Sequence, residues 1–176
     1  MSDARIQLPE MPGDPTPLVH KSHSVQLYSD EQNLLDVASQ FIGNALSSGT
    51  GAIVIATQSH QRQLDQKLSE QGLNPLKATA EGRYVAVDAN HAMAQFMAEG
   101  KVNEILFTEM MSEPLARLQS VLNRDGSRIM VFGELVALLW AQGKDPEAVQ
   151  VEQLWNKLAE KFSFSLLCAY PSAFAP

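Results

Sequence analysis

Seven side chains stand where polar or aromatic groups could gather around one ligand: Tyr28, Asp30, Thr57, His60, Asp88, Glu134 and Tyr170. Each closes a short apolar run or follows within a few residues of its end. In an open parallel sheet, ligands lie beyond the carboxyl ends of the strands, so polar residues in those loops carry weight. Ser29, Gln58, Ser59, Asn90 and His91 fall in the same loops. Carboxylates, an imidazole and phenols of this kind can orient a small polar molecule, and Glu134 or Asp88 could also serve as a base or metal ligand. The same positions have plainer uses. Asp30, Ser59 and Asp88 suit helix N-caps, and His60 suits an exposed turn. Glu134 is the sharpest case, because it opens the otherwise apolar segment GELVALLWAQG directly after a run of central-strand type. A carboxylate there needs a partner or a ligand, unless it binds the free N–H groups of its own helix.

Other chemistry is missing. A phosphate cradle needs closely spaced glycines followed by Lys and Ser/Thr. Here Gly100-Lys101 precedes Val102, Gly143-Lys144 precedes Asp145, and Gly49-Thr50-Gly51 lies before a strand. No GxGxxG run occurs either. Asp30 also places a carboxylate at the positive helix end that a phosphate would otherwise take. ATP hydrolysis is therefore not expected. The one cysteine, Cys168, lies in the apolar run SLLCAY with no His or Asn near it in sequence, and reads as a buried, inert thiol. The histidines His20, His23, His60 and His91 lack metal-ligand spacing, so no catalytic residue, metal or cofactor is expected. Trp140, Trp155 and the methionines at 93, 97, 110 and 111 read as core, although methionine-lined space adapts readily to a small apolar ligand.

These groups must be positioned by a scaffold, and its pattern is regular from His23 onward. Apolar runs at 24–28, 52–57, 83–89, 128–132 and 164–170 alternate with segments of helical period. Continuous apolar strands buried on both faces are what a parallel sheet covered by helices requires. A first helix capped by Asp30 presents Leu34, Val37, Ala38, Phe41, Ala45 and Leu46 before Gly49. A second runs over 61–71 and buries Leu64 and Leu68, and a third near 90–99 presents Met93, Phe96 and Met97. Residues 103–124 are helical in pattern, with Pro114 and the cap Ser112 dividing them into two helices. The segment 133–143 is a buried helix. The last helix has Asp145 as cap and Pro146 at its first position, and buries Val151, Leu154, Trp155, Leu158 and Phe162. Strand and helix alternating in this way predict a three-layer α/β sandwich with a mainly parallel central sheet and right-handed crossovers.

The 176 residues, 45% of them apolar, fit one domain at 23–176 preceded by a proline-rich tail at 1–22. A net charge of −7 with no basic run argues against direct binding of nucleic acid. No stretch reads as a signal peptide or bilayer span, and one cysteine suits a reducing compartment. The expected location is the cytoplasm, away from the membrane.

Taken in order, HSVQLYSDEQNLLDVASQFIGNALSSGTGAIVIAT, EGRYVAVDA, FMAEG, FGELVALLW, VEQLWNKL and FSLLCAYP resemble the MEDS sensory domain family over His23 to about Pro171. That family commonly shows His-Arg where His60-Gln61 stand, Pro-Asp at Val102-Asn103, and Met at Leu135. The resemblance implies a RecA/KaiC-like core that has lost its phosphate loop. It also implies a non-enzymatic input module of prokaryotic signalling, found with histidine kinases or regulators and proposed to sense small hydrocarbon derivatives. The expectation is a small-molecule sensor acting through a separate partner protein or through self-association as a homodimer. The alternatives are a ligand-independent adaptor for a histidine kinase or regulator, and a nucleotide or cyclic-dinucleotide binder.

Overall fold

The sheet is built from the five expected runs, and the computed structural model describes residues 23–122 and 128–174. The 1–22 segment expected to be a tail, and residues 123 and 124 of the expected helix, lie outside them. In chain order the main elements are β1 (His23–Tyr28), α1 (Glu31–Ser47), β2 (Ala52–Ala56), α2 (Gln58–Glu70), α3 (Pro75–Ala80) and β3 (Tyr84–Asp88). There follow α4 (Ala89–Phe96), β4 (Met97–Ala98), β5 (Lys101–Val102), α5 (Glu104–Leu122), β6 (Ile129–Gly133), α6 (Leu135–Ala141), α7 (Asp145–Lys161) and β7 (Phe164–Pro171).

The five long strands pair in parallel in the order β1-β7-β6-β2-β3. Ile55 stands opposite Gly133, Ala56 opposite Asp88 and Leu27 opposite Tyr170, so the carboxyl ends of neighbouring strands lie together. Alternate side chains divide into two cores, as the period of two requires. Ile53, Ile55, Ile129, Val131, Phe164, Leu166 and Cys168 face a layer made by α4, α5, α6 and α7. Ala52, Val54, Ala56, Tyr84, Phe132, Leu167 and Ala169 face α1, α2 and α3. The result is a three-layer α/β sandwich.

Several expectations need correction. The run at 24–28 is not buried on both faces: β1 is an edge strand, and Val25 and Leu27 are 54% and 47% exposed. Pro114 does not divide 103–122. It lies inside one continuous α5, because Phe107, Met111, Leu115 and Leu118 continue a single buried stripe through it. Packing of that stripe outweighs the hydrogen bond and ring clash that a proline costs a helix. Met97 belongs to a hairpin and not to the third helix. Glu99 and Gly100 both have positive φ, 51° and 80°, as a two-residue turn between β4 and β5 demands. The second helix begins at Gln58 with Thr57 as its cap, so Ser59 is not the cap. Asp145 is the first residue of α7 and Lys144 precedes it as cap residue. The helix α3, opened by Asn74 and Pro75, was not expected.

Candidate functional site

The helices that follow β2 and β6 leave on opposite faces of the sheet: α2 packs on the Val54 side and α6 on the Ile55 side. Adjacent strands whose connections diverge in this way open a crevice at their carboxyl ends, the usual ligand position in such sheets. Glu134 stands at that point. It is the residue before α6, yet its side chain makes no bond to its own helix. Instead Oε2 accepts the N–H of Thr57 at 2.9 Å, and Oε1 accepts from Nδ1 of His60 at 2.5 Å. The carboxylate thus bridges from the end of β6 to the first turn of α2, and negative charge sits against the positive end of α2.

His60 continues the chain outward. Its Nε2 donates to Oε1 of Glu31 at 2.6 Å, in the first turn of α1. Each ring nitrogen faces a carboxylate oxygen, so both must carry a proton, which is the imidazolium form. The hydrogen bond to Glu134 is the main force holding its pKa up at about 9, against partial burial, with the Glu134 charge and Glu31 adding to it. The side chain of His60 is 16% exposed, whereas Glu31 is 62% exposed, so one end of the chain is enclosed and the other is wet. Burial and the negative charges of Glu134 and Glu31 also raise the pKa of Tyr28. Neighbouring contacts set the geometry. Lys67 pairs with Asp36 at 2.5 Å and Gln71 donates to Ser39, which fastens α2 to α1. Gln61 Nε2 donates to the carbonyls of Ala56 and Val87, tying the ends of β2 and β3.

The structure therefore brings Thr57, His60 and Glu134 together, with Tyr28 within reach of their charge. Asp30 caps α1 through the N–H of Asn33, and Asp88 caps α4 through the N–H groups of Asn90 and His91. Tyr170 lies on the other side of the sheet, packed against Trp140 with ring centroids 4.8 Å apart. His60 is not on a free exposed turn, because α1 and β6 both supply it with an acceptor. Glu31 and Gln61 were missed. In sequence Glu31 is indistinguishable from an ordinary first-turn acid, and only the packing of α1 on α2 reveals its partner. Cys168 is buried as expected, and burial pushes its thiol pKa well up, but His23 lies beside it in space.

The raised pKa of His60 fixes the sign of a pH effect. A group whose pKa is higher in the folded chain stabilises fully below its ordinary value of about 6.5, and that contribution is lost as pH rises toward about 9. The ceiling is about 3 kcal/mol, and exposure of Glu31 to solvent reduces it to about 1–2 kcal/mol. Urea unfolding at pH 6 and pH 9.5 should show the chain losing that much more stability than His60→Gln. Parallel losses in the two proteins would refute the assignment.

Among the described residues no helix is long and apolar enough to cross a membrane. A family model described as "MEDS: MEthanogen/methylotroph, DcmR Sensory domain" matches residues 22–175. No curated protein and no solved structure gives a significant match.

Proposed function

The chain belongs to the MEDS sensory domain family, and from that premise we propose that it is a non-enzymatic module that senses a small molecule at its strand ends and signals to a separate protein. Membership in a sensory family makes it a sensing or signalling module. The finer reading rests on one observation, the hydrogen-bonded chain Glu31–His60–Glu134 at the point where α2 and α6 diverge. It ties together the starts of α1, α2 and α6, which belong to both helical layers. A ligand with a small polar head that takes hydrogen bonds from His60, or gives them to Glu31, would compete with this chain. Its apolar remainder would be the hydrocarbon portion. Such a molecule shifts the domain between two states only as far as it binds them unequally, so the partner-binding surface must differ between the intact and the opened chain.

Nucleotide binding is disfavoured by the same geometry, since the carboxylate of Glu134 holds the N–H at the start of α2 that a phosphate would need. The remaining strand-end residues, Asp30, Asp88 and Tyr170, serve as caps and packing in this state.

The test is a thermal-shift screen of small alcohols, amines and halogenated hydrocarbons, with ATP, GTP and cyclic dinucleotides plus magnesium alongside. A true ligand at about 100 times its Kd adds about 2.7 kcal/mol, which raises Tm by several degrees. His60→Gln and Glu31→Gln should abolish the shift. Stabilisation by nucleotide alone, or by nothing in the panel, would overturn the reading. The second reading, a ligand-independent adaptor for a histidine kinase or regulator, is favoured by the exposed apolar Val25 and Leu27 on edge strand β1. It predicts partner capture that Val25→Asp abolishes and His60→Gln leaves unchanged.

A further inference from the structure

Three metal-ligating side chains from distant parts of the chain converge on the opposite side of the sheet. His23 begins β1, Glu152 lies in the middle of α7, and Cys168 lies in β7, where it stands opposite Val25 of β1. His23 Nε2 is 3.0 Å from Glu152 Oε2 and 3.4 Å from Cys168 Sγ. The three ligand atoms all lie within 4.8 Å of one another. On the far side of the imidazole, Nδ1 is 3.2 Å from Asn156 Oδ1, one turn along α7 from Glu152. An amide oxygen accepts there, so Nδ1 carries a proton, and Nε2, which faces the Glu152 carboxylate, carries one as well until an ion takes its place. The other oxygen of Glu152, Oε1, is buried without a hydrogen-bond partner among the described residues, an arrangement that costs free energy unless something satisfies it.

We propose that His23, Glu152 and Cys168 form a binding site for a divalent metal ion of the zinc class. One soft thiolate, one imidazole and one carboxylate is a donor set suited to tetrahedral zinc, with the fourth position left to water or an incoming ligand. Ordinary zinc bond lengths place tetrahedral ligand atoms about 3.4 Å apart for nitrogen and oxygen and about 3.6 Å apart for nitrogen and sulfur. The two separations from His23 Nε2, 3.0 and 3.4 Å, need to widen by only a few tenths of an ångström. Charge also balances, because a thiolate and a carboxylate together neutralise the dication. Without an ion, burial keeps the Cys168 thiol protonated and unreactive. An ion entering from the partly exposed His23 side forms its bonds to Sγ and Nε2 as the Cys168 thiol proton and the His23 Nε2 proton leave to solvent. The site would pin β1, which among the described residues pairs only with β7, to α7. It is separate from the Glu31–His60–Glu134 chain and does not depend on the reading given to that chain.

Cobalt(II) is the probe, because a cobalt–thiolate bond gives a charge-transfer band in the near ultraviolet, and Cys168 is the one cysteine that could supply it. Titration of the reduced full chain should develop the band to one equivalent, with zinc displacing it. Cys168→Ser should lose the band. His23→Gln and Glu152→Gln should each weaken cobalt binding at least about tenfold, and His23→Gln changes the exposed first residue of β1. Cobalt bound with no sulfur band, no binding at all, or a band whose midpoint in His23→Gln and Glu152→Gln is the same as in the unsubstituted chain would each overturn the proposal.

Discussion

Glu134→Ala should lower folding stability by about 3 kcal/mol at pH 7, and Glu134→Gln by about half as much, in urea titrations. Glu134 is 4% exposed and makes two hydrogen bonds across the crevice, to the Thr57 N–H and to His60. Removing one member of an enclosed charged pair leaves the other without compensation, which costs about 3–5 kcal/mol when both are fully buried. His60 retains Glu31 and some contact with water, which sets the loss at the lower bound. The amide of Gln can still accept one of the two hydrogen bonds but carries no charge, so it restores geometry without the ion pair. A second readout separates this from general damage. In Glu134→Gln the imidazole of His60, followed by NMR, should titrate well below the value of about 9 expected for the intact chain. An unchanged His60 titration, or a loss under 1 kcal/mol for the alanine variant, would show that the bridge contributes neither stability nor charge.

Why Glu134 could be singled out from sequence while its pairing with Thr57 and His60 could not is a matter of range. A carboxylate between Gly133 and an apolar helix contradicts its local surroundings, and a local contradiction is legible in one dimension. Its partner lies 74 residues away, and the two meet because β6 pairs with β2, a fact of strand order. The same holds for His23 and Cys168, 145 residues apart, which the pairing of β1 with β7 brings together. The strands themselves were legible where burial is complete on both faces, as in AIVIA of β2 and SLLCAY of β7. SVQLY reads much the same, yet it forms an edge, because nothing in a strand's own composition says whether a neighbour exists on each side. Pro114 misled for the complementary reason. Its local cost is real, but the stripe Phe107, Met111, Leu115, Leu118 is a property of the whole helix against the core. Capping residues were read well at Asp30 and Asp88, since a cap bonds only to the next turn.

Phe107→Ala should cost about 3–5 kcal/mol, the usual range for emptying a buried aromatic site. Phe107 is fully buried in α5 and meets Phe96 of α4 edge to face, ring centroids 5.2 Å apart, and Trp155 of α7 at 5.5 Å in the same geometry. Trp155 in turn meets Phe164 of β7 at 5.9 Å, so a chain of four rings joins three helices to the sheet. Phe107→Leu keeps most of the volume and forfeits the ring contacts, which together are worth about 1–2 kcal/mol, so it should lie between. Against a typical total of about 5–15 kcal/mol, the alanine variant would sit close to the unfolding threshold while the leucine variant would not. Because these rings occupy the layer opposite α1 and α2, folded Phe107→Leu protein should keep the raised His60 titration that Glu134→Gln loses. That contrast tests whether the charged chain is held by its own three residues and their helices. A drop in the His60 pKa in Phe107→Leu would show instead that the two layers are coupled through the sheet. An alanine variant losing less than 1 kcal/mol would show that α4, α5 and α7 can close over the missing ring.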